Sequence, residues 1–319
     1  KAERFLFSTE GPADPGAFYF YDRAQNKLME FVRRAPWIDA QQTHATLPYS
    51  YVREDGIRIS GLVTVPQQPR IKPIPMVVLC PDVPWQRVRP DFQAEVQALA
   101  DMGFVVVQIN GRGAWGLGRQ QREAITGGYD LVQVDDIVTT ITNLEKAFAV
   151  NLRRVALLGR GHGGFIALRA LQEHPDKFRC AVALDAPIDL ADWLAEQRWA
   201  EEDVRPQLTR AWLGDADRLK AAPLARAPGK LTKPALLLSY PGPEGEPRRS
   251  LYLAARSFAG KVRRQGGTAE FGDLHLDYMR GLPGARAEVF DRIEAFLNTH
   301  VYDYTVKMRD LQILPDKKP

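Results

Sequence analysis

The chain has 319 residues, 45% hydrophobic and 26% charged, with a formal net charge of +4, the profile of a globular protein with length for a large core. No apolar run approaches the roughly 20 residues of a membrane-spanning helix, the first residues carry no signal-peptide pattern, and Lys and Arg are scattered among acids without the basic, aromatic-laced stripe of a nucleic-acid binder. Two cysteines, Cys80 and Cys180, lie in apolar runs and read as buried thiols, a count too small for a disulfide framework.

From the N-terminus, Arg4–Ser8, Ala17–Tyr21 and Lys27–Val32 read as short strands, with Asp22–Asn26 as a hairpin turn. Such strands alone do not make a stable domain and need a partner. Tyr51–Glu54 and Ile57–Val65 flank Asp55-Gly56, a hairpin signal. A rhythm of strand and helix follows. Met76–Cys80 is predicted as a strand, Phe92–Met102 as a helix, Phe104–Ile109 as a strand and Val134–Phe148 as a helix. Strand Val155–Leu158, helix Gly164–Glu173 and strand Phe178–Leu184 come next, then strands Ala235–Ser239 and Thr268–Phe271 and a last helix over Ala287–Asn298. Apolar strands alternating with amphipathic helices predict a mainly parallel sheet covered on both faces, with its chemistry at the carboxyl ends of the strands. Residues 188–228 interrupt the rhythm as a helical, lid-like insertion carrying Trp193, Trp199 and Trp212. Residues 301–319 read as a tail.

The informative junction is Gly159-Arg160-Gly161-His162-Gly163-Gly164, where a strand runs through a glycine-rich turn into a helix. Hydrolases place G-x-S-x-G at such a turn, the serine at its tip between small neighbours. Here both flanking glycines are present and the central residue is Gly161, so neither hydroxyl nor thiol stands there. A phosphate loop fits poorly: no Lys-Ser/Thr follows, and a dinucleotide fingerprint belongs after the first strand of its unit. Asp185 is a weak candidate for that fingerprint's acid. No H-E-x-x-H and no Cys/His cluster is present, so neither metal nor cofactor is expected.

These motifs resemble the C-terminal catalytic domain of the prolyl oligopeptidase family, on the acylaminoacyl-peptidase-like side. Asp14-Pro-Gly and Tyr21-Asp-Arg resemble the last propeller strands. Arg34–Asp39 and Arg53-Glu-Asp-Gly56 resemble the linker and first hairpin. Asn110-Gly-Arg-Gly-Ala-Trp-Gly-Leu-Gly118 resembles the N-x-R-G-S-x-G-x-G loop, and Val134-Asp-Asp136 the V-D-D helix start. The resemblance implies an α/β-hydrolase fold: a mainly parallel eight-stranded sheet flanked by helices, preceded by strands like the end of a β-propeller. Residues 1–37 would be those propeller-like strands and linker, and residues 38–300 the hydrolase domain. It also implies an upstream propeller and a possible homo-oligomer.

Carried over residue by residue, the family's serine falls on Gly161 and its histidine on His275. The acid's place falls on Pro243, with Glu244 beside it as a possible substitute. The oxyanion loop H-G-G-P-W reads Pro81-Asp-Val-Pro-Trp85, with Asp82 and Val83 in place of two glycines and His162 as the residue after the elbow. A carboxylate beside a developing oxyanion repels it. The expectation is a non-catalytic homologue that binds a peptide or a protein partner or supports an assembly. Two alternatives stand beside it. One is a working peptidase or esterase with a displaced nucleophile, served by His275 and Glu244. The other is an interaction surface away from the old pocket. Cys80, at the end of its strand, reads as buried rather than nucleophilic.

Overall fold

In the computed structural model, residues 3–126, 128–145, 147–190, 223–244 and 247–302 are described. The helices expected within 188–228, with Trp193, Trp199 and Trp212, and the tail beyond residue 302 lie outside these residues.

The first three strands, β1 (Arg4–Ser8), β2 (Ala17–Asp22) and β3 (Lys27–Arg33), form their own antiparallel sheet. Phe5 stacks on Tyr21 and Phe7 on Tyr19 across the β1–β2 pairing. A second sheet of eight strands holds the rest: β4 (Ala45–Val52), β5 (Arg58–Val65), β6 (Ile74–Cys80), β7 (Val105–Asn110), β8 (Val150–Arg160), β9 (Cys180–Leu184), β10 (Ala235–Ser239) and β11 (Ala269–Asp273), in the order β11-β10-β9-β8-β6-β7-β5-β4. β5 runs antiparallel to both β4 and β7, and all pairings from β7 to β11 are parallel. Strand β4 begins six residues earlier than the sequence reading placed it and runs through Pro48, which an edge strand tolerates because one side of its backbone needs no donor.

Helices α1 (Ala94–Asp101), α2 (Arg119–Glu123), α3 (Tyr129–Glu145), α4 (His162–Glu173), α5 (Pro223–Arg226), α6 (Pro247–Arg264), α7 (Leu276–Met279) and α8 (Pro283–His300) complete the described chain, with a turn of 3-10 helix at Pro228–Lys230. Alternation along β6 sends Met76, Val78 and Cys80 to one core and Val77 to the other. Ile137 and Ile141 of α3, Phe165 and Leu168 of α4, and Phe258 and Val262 of α6 fill the first core. Leu99 of α1 and Ile293 and Leu297 of α8 fill the second. Helix α6 is absent from the sequence reading, although Tyr252, Ala255, Phe258, Ala259 and Val262 recur at helical spacing and are all buried. Helix α8 starts at Pro283, a residue suited to the first turn, where its missing N–H costs no bond.

The strand order reverses beside β6: the chain passes from β6 out to β7 and then back across to β8. In an open parallel sheet such a reversal leaves a crevice at the carboxyl ends of the two strands. Cys80 at the end of β6 pairs in register with Gly159 at the end of β8, so the loop after β6 and the turn after β8 meet at that crevice.

Candidate functional site

The turn after β8 is built around its glycines. A Cβ on Gly159 would lie 2.2 Å from the Gly163 carbonyl carbon, one on Gly163 2.5 Å from the Cys80 oxygen, and one on Gly164 2.6 Å from the Ala186 Cβ. Those three positions exclude a side chain because β8, the start of α4 and the end of β6 are in contact there. Gly161 differs. Its φ of +53° and ψ of −122° make the sharp strand-to-helix turn, held by its N–H to the Leu184 oxygen at 2.8 Å. Among the described residues a Cβ there would meet only the Asp82 carbonyl oxygen, at 3.7 Å. As far as those residues go, the turn has room for a Cβ at Gly161.

His162 opens α4 and is fully buried. Its Nδ1 lies 3.0 Å from the Pro81 carbonyl oxygen, which only accepts, so Nδ1 carries the proton. Burial pushes the imidazole pKa down to about 3, so the ring stays neutral. It anchors the loop after β6 to the turn.

That loop is turned away from the chemistry the motif would need. The Asp82 N–H donates to Gln86 Oε1 at 2.5 Å, so it is occupied inside the loop. The Asp82 carboxylate receives both Nε and Nη2 of Arg160, at 3.1 and 2.6 Å. Val83 turns the loop tightly, its carbonyl accepting the Gln86 N–H at 3.1 Å. Further along, Trp85 lies beside Trp115 with ring centroids 6.2 Å apart. Arg160 and Gln86 were not singled out from sequence. Their roles depend on two distant segments meeting, which local spacing does not encode; the only signal was an arginine between the elbow glycines and an acid in the facing loop.

His275 precedes α7, in the loop after β11, three strands from β8. Its side chain is 76% exposed, and its Nδ1 lies 3.4 Å from Oδ2 of Asp277, in the first turn of α7. Glu244 is exposed and forms no hydrogen bond or ion pair with the other described residues, and Pro243 beside it is exposed as well. Helix α7 does approach the elbow through Tyr278, which lines a cavity of about 80 Å³ with Gly159, Arg160, Asp82 and Gln86. His275 itself borders a larger groove of about 470 Å³ with Tyr240, Asp273, Glu288 and Arg292. The structure thus gathers Gly161, His162, Asp82, Val83 and Arg160 at one place and leaves His275 and Glu244 without mutual contact. Asp185 directly follows β9 and accepts the Tyr240 N–H at 3.2 Å, fixing the start of the loop after β10.

Cys80 and Cys180 are both buried, and burial pushes each thiol well above its ordinary range, with Asp82 adding to the effect at Cys80. Neither is suited to serve as a nucleophile. Iodoacetamide at pH 8 is expected to leave both unmodified in the native protein and to alkylate both in urea, as read by intact mass; rapid native labelling of Cys80 would contradict this. No group of three or more His, Cys, Asp or Glu among the described residues is arranged to hold a metal ion. No helix among them is long and apolar enough to cross a membrane.

A model of the prolyl oligopeptidase family matches residues 90–239. Dipeptidyl aminopeptidase BIII of Pseudoxanthomonas mexicana is 25% identical over 241 residues, 70% of this chain and 34% of that protein. The human acylamino-acid-releasing enzyme is 27% identical over 144 residues, 45% of this chain and 20% of the enzyme. Among solved structures, an acylaminoacyl peptidase of Pyrococcus horikoshii superposes with a TM-score of 0.78 at 17% identity, over 96% of this chain and 50% of the other. A puromycin-hydrolyzing peptidase of Mycobacterium tuberculosis gives 0.74 at 20% identity, over 94% and 46%. The chain matches about a third or less of the length of these curated relatives. The fold is that of an α/β-hydrolase domain, with its eight-stranded, mainly parallel sheet and a small antiparallel sheet before it.

Proposed function

The chain belongs to the prolyl oligopeptidase family, and from that premise we propose that it is a catalytically inactive member whose hydrolase domain serves a binding or structural role toward a peptide or protein partner. The observation that carries the reading is the turn at Gly161: the elbow conformation and the space for a side chain are kept, and the side chain is missing. Loss of the serine in such a triad lowers turnover on the order of a million-fold, ~8 kcal/mol of barrier. What survives that loss elsewhere comes from an oxyanion hole and substrate binding. Two features here work against the hole: the Asp82 N–H is engaged by Gln86, and a carboxylate stands in the loop. Among the described residues a displaced nucleophile draws no support, since Cys80 is buried and His275 pairs with Asp277, two residues on at the start of α7.

The same reading assigns residues 1–37 to the end of a β-propeller and its linker, residues 38–300 to the hydrolase domain with a lid-like insertion at 188–228, and residues 301–319 to a tail. An upstream propeller would cover part of the apolar surface of the first 37 residues, where Leu6, Phe31 and Trp37 are exposed, Trp37 to 80%. Self-association of the kind common in the family is a further expectation.

Purified protein is expected to hydrolyse an N-acetyl-alanine anilide and an aryl ester no faster than buffer, and to take up no fluorophosphonate probe. Gly161→Ser alone is expected to remain within about tenfold of that background, because the acid and the oxyanion donors are not restored with the hydroxyl. Hydrolysis that His275→Ala abolishes, or probe attached to any residue of the crevice, overturns the reading.

A further inference from the structure

Three side chains fix the loop after β6 against the elbow. Arg160, from the turn itself, places Nε and Nη2 on one oxygen of Asp82, and Gln86 holds the Asp82 N–H from inside the loop. Beside Gly161, the nearest described atom to an added Cβ is the Asp82 carbonyl oxygen, at 3.7 Å, so this loop lies directly over the turn. Below the loop, Pro81 accepts from the buried His162, so the segment is held on both sides of Asp82. Glu95 and Tyr278 line the cavity that Arg160 and Asp82 also border.

We propose that Arg160, Asp82 and Gln86 are positioning residues forming a clasp, which fastens the loop over the elbow and makes that closed form the resting state of the site. This rests on the reading of Gly161 as the vacated nucleophile position. It accounts for the joint presence of an acid in the loop and an arginine between the elbow glycines. Each alone places a charge in the crevice, and together they neutralise one another and close it. The pair is partly exposed, Arg160 to 49% and Asp82 to 38%, so the clasp is a modest one that a ligand can open rather than a permanent seal.

Amide hydrogen exchange of the full chain, read by mass spectrometry, tests this without reference to turnover. Arg160→Gln is expected to speed exchange across residues 82–86 about fivefold, in keeping with a partly exposed ion pair, while peptides from β8 and α4 keep wild-type rates. Asp82→Asn should do the same, and the double variant no more than either single, because both remove one interaction. Gln86→Ala should release the Asp82 amide, and Arg160→Lys should keep at least half of the wild-type protection. Unchanged exchange in both single charge variants, or effects that add in the double, overturns the clasp. If Arg160→Gln loosens the whole molecule, Asp82→Asn and Arg160→Lys, which leave the turn's backbone alone, decide the matter by the same criterion. A protein that hydrolyses esters yet shows the expected exchange would sink the inactive reading and leave the clasp; the reverse result would do the opposite.

Discussion

Gly159→Ala is expected to lower the unfolding free energy by about 3 kcal/mol or more, the upper range for a side chain forced into a packed site. The added methyl would overlap backbone atoms of Gly163 and Gly164 at 2.2 to 2.7 Å. No flexible side chain can yield there, so either β8 or the start of α4 must move. The comparison that gives the result its meaning is Gly161→Ala. Its methyl meets nothing closer than 3.7 Å, and its cost is the strain of an L-residue at φ +53°, about 1–2 kcal/mol. Urea unfolding of both variants, with unchanged slope, separates the two. Equal losses would mean that the tight contact at Gly159 is not what fixes the turn.

The contrast bears on function. In an active hydrolase the strained residue at the tip is also the reacting one, so geometry and chemistry are maintained together. Here the tip is Gly161, which takes the φ of +53° without the strain an L-residue would carry. The turn is kept by packing at Gly159, Gly163 and Gly164, which brace β8, β6 and α4 irrespective of any reaction. The glycine frame of the elbow is therefore a statement about packing before it is one about catalysis.

Strands that are short and bounded by turn residues were legible in the sequence, β10 and β1 to their exact ends, whereas the polar starts of β4 and β8 were not, β8 running from Val150 through Arg153 and Arg154 before its apolar stretch. The parallel sheet followed from their alternation with helices. Helix α6 is hard to see because its apolar residues, Tyr252, Ala255, Phe258, Ala259 and Val262, are interleaved with basic ones such as Arg256, Lys261 and Arg263, so no continuous apolar run marks it. At the site, the departures at Gly161 and Asp82 were visible because they break a local motif. The clasp was not, since Arg160 and Asp82 are 78 residues apart and only the β6–β8 register brings them together. The same limit applies to Asp136, read only as part of a motif at a helix start.

Asp136→Ala is expected to destabilise the domain by about 3 kcal/mol, more than any other substitution of a single charged group in this region. Asp136 is buried on α3. Its Oδ2 accepts the Arg112 backbone N–H at 2.7 Å, and its Oδ1 takes Arg112 Nε at 2.9 Å and Arg53 Nη1 at 3.3 Å. It therefore ties three segments: the helix, the loop after β7 and the hairpin between β4 and β5. Removing one member of a buried ionic cluster leaves its partners charged and poorly solvated, which costs about 3–5 kcal/mol. The lower end applies because Arg53 and Arg112 also reach Asp135, at 2.6 and 2.7 Å. Asp135 is 51% exposed, so Asp135→Ala should cost no more than about 1 kcal/mol. Asp136→Asn should fall between the two, since an amide oxygen still accepts the Arg112 N–H while the charge is lost. Thermal or urea unfolding of the three variants gives the order directly. The loop after β7 meets the loop after β6 through the Trp115 N–H on the Trp85 oxygen, so Asp136→Ala should also loosen residues 111–118 in hydrogen exchange. If Asp135→Ala costs as much as Asp136→Ala, the buried carboxylate is not the centre of this network.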